Sequence, residues 1–219
     1  LRGERCGLFK PGRFLMHKDL LNARTLASQT LISALQDLAQ AGQNPVTAVL
    51  QNGTPVPDAH YPAGDLVDTS SGFRYYYHCH AASSWKRREH GHFHLFRESG
   101  DKFHHLVAIS ADTHGLPVRA FTTNRWVTGE SWRHGDTVRK HLDTIQLPAD
   151  GPFVAVNRFL VGLIGLFRDN LHRLITARDQ RLLELGTNGR SRDRILEDRR
   201  IHVLSQTPLN LLESFDAVD

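Results

Sequence analysis

Between Gly72 and Ala111 the residues alternate with a period of two, and no other feature narrows the fold so far. Successive side chains of an extended strand point to opposite faces. Phe73, Tyr75, Tyr77 and Cys79 therefore share one side, and Arg74, Tyr76, His78 and His80 the other. After a loop at 81–89, His90, His92, His94 and Phe96 share a face opposed by Phe93 and Leu95. Residues 103–111 (FHHLVAISA) become apolar on both faces, as a central strand does. A turn at 112–117 leads into a further extended run, Val118–Val127. A parallel crossover takes a dozen or more residues, so connections this short predict antiparallel pairing. The expected unit is an antiparallel sheet of about four strands over residues 72–127.

Helical spacing brackets that sheet. Leu20, Ala23, Ala27, Leu31, Leu35 and Leu38 recur every three or four residues, predicting an amphipathic helix from Asp19 to about Gln40. Residues 43–71 are rich in Pro, Gly, Asn and Asp and read as a loop or a lead-in to the sheet. A short helix is expected over Asp136–Ile145. From Pro152 to Leu185 the residues Phe159, Leu163, Phe167, Leu171, Leu174 and Leu182 keep a helical period, with Gly162 and Gly165 suited to close packing or a bend. The apolar run 153–167 falls short of the roughly 18–20 residues a bilayer needs, and Asn157 and Arg158 interrupt it. Arg192–Leu204 reads as helical at its start, and 208–215 as a last turn. The fold class expected is α+β, a single domain over 1–219 whose C-terminal part, 136–215, is helical.

The 219 residues carry a formal charge of +4 with acids and bases intermixed, which predicts neither nucleic-acid binding nor a membrane partner. Two cysteines, Cys6 and Cys79, are too few for a disulfide framework, and Cys79 reads as a buried free thiol. No signal segment is visible, so a cytoplasmic location is expected; Leu1 in place of an initiator methionine leaves an N-terminal extension open. Oligomeric state is not legible.

Chemistry concentrates in the same strands. Eight of the fourteen histidines lie between Gly72 and His114, and the pairs His78/His80 and His92/His94 each aim two imidazoles one way. Imidazole is the commonest metal ligand, and a site with three protein ligands keeps positions for water or substrate. The expected ligands of a divalent metal, Fe²⁺ or Zn²⁺, are His78, His80, His92 and His94. Glu89 and His90 are placed as alternates or as the acid–base groups. Arg88, Asn124, Arg125 and Trp126 are expected to hold a small, anionic substrate through a planar guanidinium and a stacking ring. Other readings stay open. The histidines can line a metal-free pocket with His78 or His92 carrying a proton, or form a structural polar face. With Tyr75, Tyr76 and Tyr77 they can also hold haem in a non-enzymatic binding module. Arg125 has an alternative as an ion-pair partner of Asp112 or Glu130, and the basic loop Lys86-Arg87-Arg88 beside Trp85 as a solvated hairpin tip. The chain has no phosphate-binding loop, no Gly-x-Ser-x-Gly, no His-Glu-x-x-His and no Cys-x-x-Cys.

Gly72-x5-His78-x-His80 resembles the first cupin motif, which implies a metal site. The chain departs from that pattern, because Ala, Ser and Trp stand where a carboxylate is expected and the first acid is Glu89. Taken together, the blocks GFRYYYHCHA, EHGHFHLF and AISADTHGLPVRAFTTNRWVTGESW are similar to an uncharacterised bacterial domain family. That resemblance spans roughly residues 70–135, implies that the blocks belong together, and lends no catalytic residue.

Overall fold

The computed structural model describes residues 11–80 and 89–216, with the side chains of 11–18 and 216 left aside. Helix α1 (Pro11–Gln40) and the short α2 (Pro45–Val49) precede five strands: β1 (Tyr61–Asp68), β2 (Phe73–Cys79), β3 (Gly91–Ser99), β4 (Lys102–Ala111) and β5 (Pro117–Thr123). Helices α3 (Arg125–Thr128), α4 (Gly135–Asp143), α5 (Val154–Leu166), α6 (Arg168–Gly186) and α7 (Arg192–Leu196) follow. The chain then returns as β6 (Val203–Pro208) and ends in α8 (Leu211–Asp216). The class is α+β, and the sheet is antiparallel throughout, in the order β1-β2-β3-β4-β5-β6.

Two strands exceed the expected four. β1 lies in the Pro- and Gly-rich stretch read as a loop, and its alternation is broken by a register shift between Tyr61 and Leu66, where Gly64 and Asp65 take positive φ. β6 follows a charged helix and pairs with β5 at the opposite edge. The expected strand 118–127 stops at Thr123 because the Asn124 side chain accepts from the Arg125 N–H and starts α3, which Gly129 closes at φ 66°. The long C-terminal helix is two: Phe167 ends α5 and begins α6 in a non-helical conformation.

One face of the sheet is packed under helices. Phe73, Tyr75, Tyr77, Phe93, Leu95, Val107 and Ile109 are buried there with Phe159, Leu160 and Leu163 of α5. Tyr75 donates its hydroxyl hydrogen to Asn157 Oδ1 at 2.9 Å, which satisfies the phenol under the helix layer. Helix α1 covers α5 in turn. Gly162 allows this approach, since a Cβ there would sit 2.7 Å from Leu31 N and 2.9 Å from Leu31 Cα. Backbone cannot yield as a side chain can. Gly162→Ala is expected to lower stability by about 1–3 kcal/mol, the usual cost of overpacking, despite alanine's better helix propensity. Urea denaturation followed by circular dichroism checks this, and an unchanged midpoint would refute the close contact.

The other face carries Tyr76, His78, His92, His94 and Phe96. Among the described residues no helix is long and apolar enough to cross a membrane.

Candidate metal centre

His78 and His92 stand directly opposite one another on β2 and β3, and His94, two residues along β3, faces Tyr76. Facing residues of an antiparallel pair hold their Cβ atoms about 4.5–5.5 Å apart, so this register brings the rings together. Their centroids are 4.5 Å apart for His78–His92, 5.2 Å for His78–His94 and 5.0 Å for His92–His94. One nitrogen from each ring lies within 4.8 Å of the others. His78 Nε2 and His92 Nε2 are 2.7 Å apart and share a proton in a hydrogen bond.

A relay behind the cluster orients it. His94 Nδ1 is 3.1 Å from His105 Nε2, and His105 Nδ1 is 3.2 Å from Thr123 Oγ1. That leaves Nε2 as the His94 ring nitrogen outside this relay. The His105 backbone N–H donates to Glu130 Oε2 at 2.6 Å. His105 reaches this face through a bulge: Leu95 pairs with Val107 but Phe96 pairs with His105, so Leu106 is the extra residue of β4. Strict alternation from Val107 would have turned His105 under the helices and left it out of the site.

Burial sets the protonation states. Desolvation first, then the neighbouring imidazoles, pushes His78 down to about 4 and holds His92 and His94 well below the ordinary histidine value. Desolvation, with the Arg178 charge second, takes His105 to about 3. All four are neutral at pH 7, and the neutral ring is the form that ligates a cation. Beside the cluster, His92 Nδ1 and Ser110 Oγ are buried without a hydrogen-bond partner among the described residues, and they belong to residues paired across β3 and β4.

The cluster forms the floor of a cavity of about 480 Å³. Phe121, Val127 and Val203 give it apolar wall, with the Phe121 ring edge-on to His92 at 5.2 Å. Arg119 and Glu89 also line it, but as a closed pair. Arg119 Nε and Nη2 donate to the Glu89 carboxylate at 2.5 and 3.1 Å, and Nη1 donates to Gln206.

The other expected site residues are dispersed. His80 lies at the rim, 5.0 Å from both His78 and His92 by centroid, with Nδ1 2.9 Å from Asp58 Oδ1. His90 lines the cavity and places Nδ1 2.5 Å from the Tyr77 hydroxyl. Asn124 is buried, capping α3 and donating to Ile195 O. Arg125 pairs with Glu197 and Asp193 rather than with Asp112 or Glu130. Trp126 donates its indole N–H to Ile201 O and meets His202 edge-on. These three fasten α3 to the segment 193–202 and do not line the cavity. Arg88, with Trp85, Lys86 and Arg87, lies outside the described residues, as does Cys6. Cys79 is a buried free thiol. Tyr75 and Tyr77 are packed under the helices, and of the three tyrosines Tyr76 alone stands on the face of the histidine cluster, its ring centroid 5.1 Å from that of His94.

Sequence reasoning assigned no site role to His105, Thr123, Arg119 or Phe121. Arg119, Phe121 and Thr123 sit at a spacing of two in an extended run, a signal that was available. For His105 there was none, because a bulge leaves no mark in the alternation.

One family model, that of a domain of unknown function, matches residues 25–209. No curated protein and no solved structure matches the chain.

Proposed function

The chain belongs to this family, DUF6969, whose description carries no activity, and from the site's own chemistry we propose that it binds one divalent transition metal through His78, His92 and His94. The observation that carries this reading is the convergence of three neutral imidazoles, two buried and His78 half-buried, with one ring nitrogen from each within 4.8 Å of the others. Zinc–nitrogen bonds are about 2.0–2.1 Å, which sets neighbouring ligand atoms roughly 3.3 Å apart in a tetrahedron. Small rotations of the three rings reach that spacing. His94 comes with the partner a ligating imidazole needs, since His105 holds its other nitrogen. Zn²⁺ and Fe²⁺ suit an all-imidazole set of this kind, with the remaining coordination positions facing the cavity.

Such a metal would polarise water or dioxygen against a small molecule in the cavity. The Arg119–Glu89 pair neutralises itself, so the attraction for an anionic substrate comes from the cation. Phe121, Val127 and Val203 would hold its apolar part. Asp58 holds the Nδ1 proton of His80 and so orients its ring at the cavity mouth, where it would serve as an acid–base group. Glu89 keeps Arg119 in place, and His90 completes the wall.

The test is direct titration of chelator-treated protein with Zn²⁺ and Co²⁺. One equivalent should bind, and Co²⁺ should give the visible absorption of a low-symmetry nitrogen site. The His78–His92 hydrogen bond is also the arrangement a metal-free imidazole pair would use. Failure to bind either ion would leave that acid–base reading in its place.

A further inference from the structure

On the opposite face of the sheet, at the β3–β4 hairpin end, lies a second polar cavity of about 280 Å³. Cross-strand pairing puts Phe73, Arg97 and His104 in one row on the helix-packed side. Helix α4 lies over that row, with Thr137 and His141 one turn apart facing it, and Arg133 just precedes the helix. His104 and His141 stack with centroids 5.5 Å apart. The Arg97 guanidinium lies over the Phe73 ring at 4.8 Å.

This wall gathers donors and positive charge without an opposing acid. Neither Arg97 nor Arg133 has a carboxylate partner among the described residues. Glu98, the one acid on the lining, is engaged by Arg74 at 2.9 Å. His104 is only 2% exposed, yet its Nδ1 has no hydrogen-bond partner among the described residues. A buried ring nitrogen left unpaired forfeits the hydrogen bond that water gives it in the unfolded chain, and native structures rarely carry that cost without a use. Assembling two guanidinium groups beside two imidazoles costs repulsion as well, which the charge of a bound anion removes.

We propose that Arg97, Arg133, His104 and His141, with the Thr137 and Ser99 hydroxyls, form a binding site for a phosphate group. Guanidinium forks match a tetrahedral oxyanion in a way that point charges do not. The small volume fits the phosphate head itself, with any attached group projecting from the mouth. The site is separate from the histidine cluster, which occupies the other face of the sheet, and does not depend on the metal. Its occupation would tie α4 to the β3–β4 hairpin.

Isothermal titration of the full chain with inorganic phosphate and with phenyl phosphate tests this, in excess chelator and against sodium chloride at matched ionic strength. Saturable binding of either is expected; the tighter of the two identifies a free ion or an ester as the natural form. Arg97→Gln and Arg133→Gln should each weaken binding by at least about tenfold, the worth of a charged hydrogen bond. Arg133→Lys, which keeps charge but loses the fork, should fall between, and guards against a glutamine variant that fails to fold. Titration no different from chloride, or binding unchanged in the folded variants, would overturn the site.

Discussion

Replacing His78 and His92 together by alanine is expected to abolish stoichiometric metal binding, taking content after dialysis from about one equivalent to under about a tenth. Two of three donors disappear, and the remaining imidazole is an ordinary monodentate ligand. The graded controls make the result specific. His105→Ala leaves all three donors in place but removes the group that holds His94. Loss of such an orienting partner costs about 10–100-fold in affinity, so this variant should keep one site per chain and bind it more weakly. His104→Ala, on the other face of the sheet, should leave metal binding untouched. Elemental analysis and competition with a chromophoric chelator read all three. Equal metal in the wild type and the double variant would remove the proposed centre.

The orphaned atoms on the histidine face argue in the same direction. With His78 and His92 joined through their Nε2 atoms, neither His92 Nδ1 nor the facing Ser110 hydroxyl has a partner among the described residues. A cation at His92 Nε2 would fix the proton on Nδ1 and turn that atom into a defined donor. The sheet itself needs no change, because the strands already set the spacing of the rings. What the metal must displace is a single proton, that of the His78–His92 hydrogen bond. That proton moves to a ring Nδ1 of the same neutral pair, so metal uptake at pH 7 should release no net acid, and release should appear only at a pH low enough to charge the rings.

Much of this site was legible because period two is an unusually rigid code. Once β2 and β3 are recognised as neighbours joined by one loop, His78, His92 and His94 must share a face, whatever the helices do. The limits of legibility are equally physical. Bulges shift alternation without any composition signal, which hid His105. The run TTNRWV continued the expected strand by residue type, yet Asn124 and Gly129 are the cap residues of a four-residue helix. That turned Asn124, Arg125 and Trp126 from expected substrate contacts into fasteners for α3. β6 was invisible because its exposed residues alternate among polar ones, and an edge strand beside β5 is specified by its partner more than by its own sequence. Gly162 and Gly165 were open to either close packing or a bend. The structure uses Gly162 for the approach to Leu31 and puts the bend at Phe167.

Stability of the chelator-treated protein is expected to fall steeply below about pH 6.5, where unfolded histidines begin to charge. Desolvation first holds the folded-state values low, at about 4 for His78 and His104 and about 3 for His105. A folded value below the unfolded one means that the unfolded chain binds more protons. The contribution is therefore complete above about pH 6.5 and is lost as pH falls through the folded values. For His105, 2% exposed, a shift of this size corresponds to about 5 kcal/mol at most, against a total of about 5–15 for a typical domain. Glu130 works the other way. Burial pushes its carboxyl up to about 8, against the opposing pull of the His105 N–H and Arg178. Its contribution is present in acid and is lost as pH rises from about 4.5 through 8. Several histidines act against one glutamate, so the acid limb should dominate below neutrality and the stability maximum should lie near pH 7. Urea unfolding across pH 4.5–9 should give an acid slope of at least about two protons. His105→Gln should flatten that limb, and Glu130→Gln should flatten the alkaline one. A midpoint independent of pH between 4.5 and 7 would mean that these rings are hydrated in solution, and a dry imidazole cluster would then be untenable.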